Sequence, residues 1–331
     1  MLSVVSETAG NWHGSSGKAD LGNAIDLLPC QLTRVGSTVK TFTAITVLML
    51  VQEGKIHLDA PMAQYLPENH LEGLANYRSI TVKQLLNHTS GLYNYIMDPV
   101  FQTASINDPT KIWRPEELLS HSRGKPAVFA PGTEAQYSNT NYILLGDIIS
   151  RVEGKPFYKA FEDRIFTPLG MDHTQFAAED PIPDNIISGY IDLYGNGDLI
   201  NSTHYSGWDY YTADGGLISN PHDLAQFMQA LFNGGLLSEG SMAEMLDWYF
   251  PKDQDPEGFQ TGFGLGIFMV VTSFGPVYLH SGDAIGYFAT MAYFPEHRLS
   301  VSWAVNANYG SVMEHSQSKA VMERIFETVL R

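Results

Sequence analysis

The chain has 331 residues, with 19 Lys and Arg against 36 Asp and Glu, so its formal net charge is −17 with 11 His counted neutral. That length fits two domains of roughly 150 residues, or one domain carrying a large insertion. The 44% hydrophobic and 12% aromatic share excludes a disordered acidic tail, and the acidic balance argues against nucleic acid, whose phosphates need clustered Lys and Arg.

In chain order, the start (Met1-Leu2-Ser3-Val4-Val5-Ser6-Glu7) lacks the basic residues and long apolar stretch of a signal peptide. Short strands with Gly/Ser turns follow, as at Gly14-Ser15-Ser16-Gly17. Cys30 is the single cysteine, which excludes an internal disulfide and a Cys-based zinc cluster. From Thr38 to about Phe250 helical segments dominate, among them 81–88, 140–152 and 222–233, the last stopped by Gly234-Gly235. The longest apolar run, 42–51, falls short of the roughly 20 residues of a membrane span. No basic amphipathic stretch favours an anionic membrane surface. Strand-like runs at 265–273, 276–281, 287–294 and 299–306 are separated by turns at Phe274-Gly275 and Pro295-Glu296-His297, which predicts an antiparallel meander. An amphipathic helix is expected over 311–330. Strands at both ends around a helical block predict a mixed α/β fold, an antiparallel sheet flanked by helices. Residues 1–36 and 255–331 would form the sheet domain and 37–254 a mainly helical domain with long loops, the active site lying at their junction.

Common chemical signatures are absent. The sequence has no G-x-S-x-G, G-x-x-x-x-G-K-[ST], G-x-G-x-x-G or H-E-x-x-H, and its closest histidines, His57 and His70, are thirteen positions apart. What stands out is Gly36-Ser37-Thr38-Val39-Lys40-Thr41-Phe42. Residues 39–52 are apolar on nearly every face, as in a fully buried helix, and Lys40 is their only charge. Burial depresses a lysine pKa toward the range where the amine accepts a proton. Ser37, three residues earlier, shares a helical face with Lys40 and sits at the positive end of the helix. A serine beside a potential base is what a covalent nucleophile requires. The tetrapeptide S-x-x-K occurs four times, at Ser15–Lys18, Ser37–Lys40, Ser122–Lys125 and Ser316–Lys319, but only the second sets the lysine inside an apolar helix. The alternative is a Ser37 that caps the helix and a Lys40 that snorkels to solvent.

The segment from Gly36 to Ala44 resembles the S-x-x-K motif of serine β-lactamases and penicillin-binding proteins, above all the branch of class C β-lactamases, D-alanyl-D-alanine carboxypeptidases and lactamase-like esterases. Further landmarks of that branch follow in order. They are Leu85-Leu86-Asn87-His88-Thr89-Ser90-Gly91-Leu92, then Tyr137-Ser138-Asn139 with Leu144-Leu145-Gly146 after it, Pro168-Leu169-Gly170-Met171, Ala213-Asp214-Gly215-Gly216-Leu217, and His280-Ser281-Gly282 with Gly286 and Tyr293-Phe294-Pro295. The likeness spans nearly the whole chain, from about Asp20 to the terminal helix. Family members usually begin with a helix and a Val-rich strand ahead of the region Met1 enters, so the chain is either truncated or covers its sheet with the terminal helix alone.

The resemblance implies a β-lactamase/transpeptidase-like fold and a serine hydrolase that works through an acyl-enzyme on an amide or ester, without metal or organic cofactor. Ser37 would attack the carbonyl, with Lys40 and Tyr137 sharing its proton and Asn139 holding both the lysine and the substrate amide. The backbone N–H groups of Ser37 and Asp283 would form the oxyanion hole, and Ser281 and Gly282 would bind substrate. His280 replaces the usual lysine of the third motif, and activity or specificity is expected to change around its titration. Asp283 next to that motif disfavours substrates that present a carboxylate there and suits an amine or a neutral ester. A penicillin-binding or carboxypeptidase-like enzyme, an esterase, a D-aminopeptidase or amidase and a weak β-lactamase all fit. A non-catalytic scaffold of the same fold is the rival from another class. The partner is a small-molecule or peptide substrate, with no nucleic acid and no membrane span, and the oligomeric state stays open. The compartment is periplasmic or otherwise extracytoplasmic if an upstream signal was removed, and cytoplasmic if not.

Overall fold

The computed structural model describes residues 1–7, 10–205, 207 and 209–331. Among them the largest sheet has seven antiparallel strands: β1 (Leu2–Ser6), β2 (Gly10–Gly14), β3 (Gln260–Phe263), β4 (Phe268–Thr272), β5 (Gly275–Ala284), β6 (Tyr287–Phe294) and β7 (Leu299–Val305). Their spatial order is β3-β4-β5-β6-β7-β1-β2, so the N-terminal hairpin docks on β7 with Val4 opposite Val301. The sheet is therefore closed by both ends of the chain, as the strand pattern predicts. β6 (YFATMAYF) is buried at every position, because layers cover it on both faces.

Four helices matter for the site: α1 (Val39–Gln52), α2 (Asn139–Glu153), α3 (Pro221–Phe232) and α4 (Lys319–Leu330). α4 covers one face of the sheet with an i, i+4 pair, Met322 and Phe326, the latter packed edge-on against Phe294 with ring centroids 5.1 Å apart. α3 covers the other face, where Phe232 stacks on Tyr293 at 4.2 Å. α1 lies inside the main core with eleven of its fourteen residues buried, which is why its sequence shows no polar face. α2 ends at Gly154, whose φ of +68° makes the left-handed stop that glycine tolerates. Among the described residues, no helix is long and apolar enough to cross a membrane.

The structure departs from the sequence reading in three places. β3 was unread, and the run expected from residue 265 starts only at Phe268, because Gly266 turns the chain at φ +71° between the paired Phe263 and Phe268. β5 extends three residues past the expected end, to Ala284. There the Asn308 amide clamps the hairpin, donating to the carbonyls of Ala284 at 2.7 Å and Tyr287 at 2.9 Å. The segment 311–330 is not one helix: a short turn, Met313–Ser316, breaks at Gln317, and α4 restarts behind Ser318, whose extended backbone and hydroxyl cap it.

Candidate active site

Ser37 sits in a single 3₁₀ turn, Gly36–Thr38, that runs straight into α1. β4 ends opposite Leu279, so beyond that residue the edge of β5 is open, and this turn lies against it. Two glycines allow the approach. Gly36 holds φ +50°, and a Cβ on it would fall 2.8 Å from the Asp283 nitrogen and closer still to the Asp283 carbonyl oxygen. A Cβ on Gly282 would fall 2.5 Å from the Ser37 nitrogen and closer to the Val35 carbonyl oxygen. Every atom met is backbone, so nothing can swing away. Gly282→Ala is expected to cost about 2–4 kcal/mol of stability and most of the activity, read by thermal melting and by ester turnover on the same sample. Wild-type melting and turnover in Gly282→Ala would show that β5 can retreat from the turn.

Lys40 is fully buried, and its Nζ lies 2.9 Å from Ser37 Oγ and 2.5 Å from the Asp214 carbonyl oxygen. It does not snorkel, and Ser37 is not the cap of α1, whose N-cap position is Thr38. Burial lowers its pKa to about 8, and the nearby charges of Asp214 and Asp209 oppose that fall. The other three S-x-x-K pairs are spent on structure. Ser15 bonds the Leu27 carbonyl while Lys18 pairs with Asp26, Ser122 bonds the Tyr93 carbonyl while Lys125 pairs with Asp98, and Ser316 bonds the Val312 carbonyl while Lys319 bonds that of Gly258.

Tyr137 reaches the same point from the loop before α2. Its hydroxyl hydrogen-bonds Ser37, its ring centroid lies 5.0 Å from Lys40 Nζ, and burial pushes its phenol upward despite that bond. The Asn87–Gly91 landmark explains the placement. The His88 carbonyl accepts from Gln136 N–H at 3.0 Å, His88 Nδ1 accepts from Ser138 N–H at 3.1 Å, and the His88 ring packs on Tyr137 with centroids 4.5 Å apart. Asn139 opens α2 with its N–H bonded to Asn94 Oδ1 at 3.1 Å. The lysine's second partner is the Asp214 carbonyl, however, where the sequence reading put Asn139.

His280 is buried on β5, with Nδ1 2.7 Å from the Ser281 carbonyl. That bond fixes the proton on Nδ1 and leaves Nε2 as a buried acceptor with no partner among the described residues. Burial first, and Lys40 second, hold its pKa down at about 3. The expected change around a histidine titration is thus corrected: the ring stays neutral through the physiological range. The Ser281 hydroxyl meets Thr290 Oγ1 on β6 at 3.0 Å.

Two carboxylates complete the electrostatics. Asp214 lay inside a quoted landmark without an assigned role, and Asp209 was missed altogether. Both are buried; burial raises the Asp214 carboxyl, and burial with the Asp214 charge takes Asp209 up to about 7. Tyr95 donates to Asp214 Oδ2 at 2.9 Å and tethers it. Among the described residues, no group of three or more His, Cys, Asp or Glu is placed to hold a metal ion. If Lys40 takes the serine proton it must be neutral to do so, and kcat/KM is then expected to rise with pH and level off above about 8. His280→Gln should leave that limb in place. A limb that moves with His280, or a profile flat through pH 8, would contradict the assignment.

Known proteins bear on this geometry. A family model described as Beta-lactamase matches residues 3–324. Penicillin-binding protein 4* of Bacillus subtilis is 27% identical over 326 residues, covering 95% of this chain and 69% of its own length. The D-stereospecific amidohydrolase from Streptomyces sp. superposes with a TM-score of 0.82 at 31% identity, over 95% of this chain and 91% of that one. The D-amino acid amidase of Ochrobactrum anthropi SV3, complexed with L-phenylalanine, gives 0.83 at 27% identity, over 99% of this chain and 93% of that one. The fold is accordingly the β-lactamase/transpeptidase type, and the chain belongs to the Beta-lactamase family.

Proposed function

We propose that Ser37 is the nucleophile of an acyl-enzyme cycle on amides, with Lys40 as its base. The chain is a serine hydrolase of its family, and the amide chemistry printed for the Streptomyces and Ochrobactrum proteins is the substrate class this reading carries over. One observation supports it above all: a hydroxyl 2.9 Å from a fully buried amine whose pKa is about 8. In this reading the Ser37 proton passes to Lys40 as Oγ bonds the carbonyl carbon. Tyr137, bonded to Ser37 and held protonated, donates to the leaving nitrogen as the C–N bond breaks and regains its proton from Lys40. The N–H groups of Ser37 and Asp283, set side by side by the two glycines, hold the oxyanion. Water then attacks the acyl carbon and restores Ser37. His280 Nε2, an unpaired acceptor beside this path, orients a donor on the tyrosine or the substrate. The Asp214 carbonyl replaces Asn139 as the anchor of Lys40, and Asn139 is left with the substrate amide.

Rapid-quench intact-mass spectrometry with p-nitrophenyl butyrate tests the reading. An acyl adduct on Ser37, formed in a burst that matches the enzyme concentration, is expected. Steady turnover with the adduct on another residue, or with none, would overturn it.

A further inference from the structure

Asp283 supplies a backbone N–H to the proposed oxyanion hole, yet its side chain is exposed on the open edge of β5. The carboxylate is built in rather than loose. Gln317 Nε2 donates to Oδ1 at 2.7 Å; burial raises the carboxyl above its ordinary range, and the Gln317 and Asn308 amides oppose that rise. Gln317 reaches it because the C-terminal segment breaks at that residue; in one continuous helix 311–330 it would be carried on a helix face instead. Both partners are neutral amides, so the negative charge is oriented but not cancelled. Its field reaches the Tyr137 hydroxyl, which bonds Ser37, and the phenol of Tyr309, and it raises both. The Asp283 backbone meets Gly36, the neighbour of Ser37, so the acceptor is one side chain from the reacting centre, with the Tyr309 phenol within its field.

We infer that the Asp283 carboxylate, held by Gln317, is the subsite for a substrate ammonium group, so that the amides this enzyme prefers carry a free amine near the scissile carbonyl. The inference rests on the Ser37 acyl-enzyme reading and names its substrate class. An ammonium there gains a charge-assisted hydrogen bond to the free carboxylate oxygen, with an aromatic ring close by. A carboxylate in the same place meets like charge. Gln317 acts only through Asp283 and is a positioning residue.

The test is calorimetric binding to Ser37→Ala at pH 6.5, comparing phenylalaninamide, each enantiomer separately, with its N-acetyl derivative. At least tenfold tighter binding of the better free-amine enantiomer is expected. Adding Asp283→Asn should shrink that gap to about threefold or less, and adding Gln317→Ala should narrow it partway. Equal affinities without the second substitution, or a gap unchanged by Asp283→Asn, would overturn the inference. The comparison in Ser37→Ala alone decides the matter if either double variant folds poorly. Because p-nitrophenyl butyrate carries no amine, steady turnover of that ester with no Ser37 adduct, beside an intact amine preference, would point to failure of the acyl-enzyme reading alone.

Discussion

Ser37→Ala is expected to lower kcat for ester and amide hydrolysis by about 10³-fold or more while moving stability by no more than about 1 kcal/mol. The two expectations separate because of where the oxygen sits. Ser37 Oγ is held at 2.9 Å from Lys40 and is bonded by Tyr137, but the turn that carries it is set by backbone contact at Gly36 and Gly282, which alanine leaves alone. Removing the hydroxyl deletes the atom that, in the proposed cycle, forms the bond to the acyl group. Steady-state kinetics and a thermal melt on the same preparations check both halves. A variant that keeps a tenth of the wild-type rate would remove Ser37 from the mechanism.

Lys40→Met should be nearly as severe for the rate, again about 10³-fold, with Tm at pH 7 unchanged or raised. The lysine pKa falls from 10.5 to about 8, so below pH 8 the fold carries a charged buried ammonium at a cost of about 3 kcal/mol. Methionine fills a similar volume without that cost. Asp209, at about 7, and Asp214 lose a counter-charge, and they respond by taking up protons rather than by unfolding the site. Lys40→Arg should be equally inactive, because a guanidinium keeps its proton. Arginine rescue of the rate, or a Tm drop of more than about 10 °C in Lys40→Met, would show that the amine serves as a fixed charge rather than as a base.

The same contrast shows how much of the site could be read before folding. Ser37 and Lys40 are three positions apart at the head of an apolar helix, so their contact is local and the sequence carries it whole. The decoy pairs were also separable by sequence, since each sits in a turn or on a polar segment. Tyr137 and His280 were found through ordered landmarks, which identify positions but not distances. Asp209 could not be found that way: it reaches Lys40 across the fold from a segment with no periodic signal, and only its charge at the lysine reveals it. A polar residue quoted in a landmark, Asp214, gave a partial hint, but its backbone carbonyl, which any residue would supply, makes the key bond.

Sequence by itself determined the sheet closed by both chain ends, the buried helix and the serine–lysine pair, because strand alternation, helical periodicity and an i, i+3 contact are set by covalent spacing. The tertiary structure alone decided which partner holds Lys40, that His280 stays neutral, that residues 282–283 touch the turn that carries Ser37, and that the C-terminal segment breaks to place Gln317 on Asp283. Those outcomes depend on burial, on charges summed over distant segments and on the approach of backbones more than two hundred residues apart, none of which a local pattern encodes.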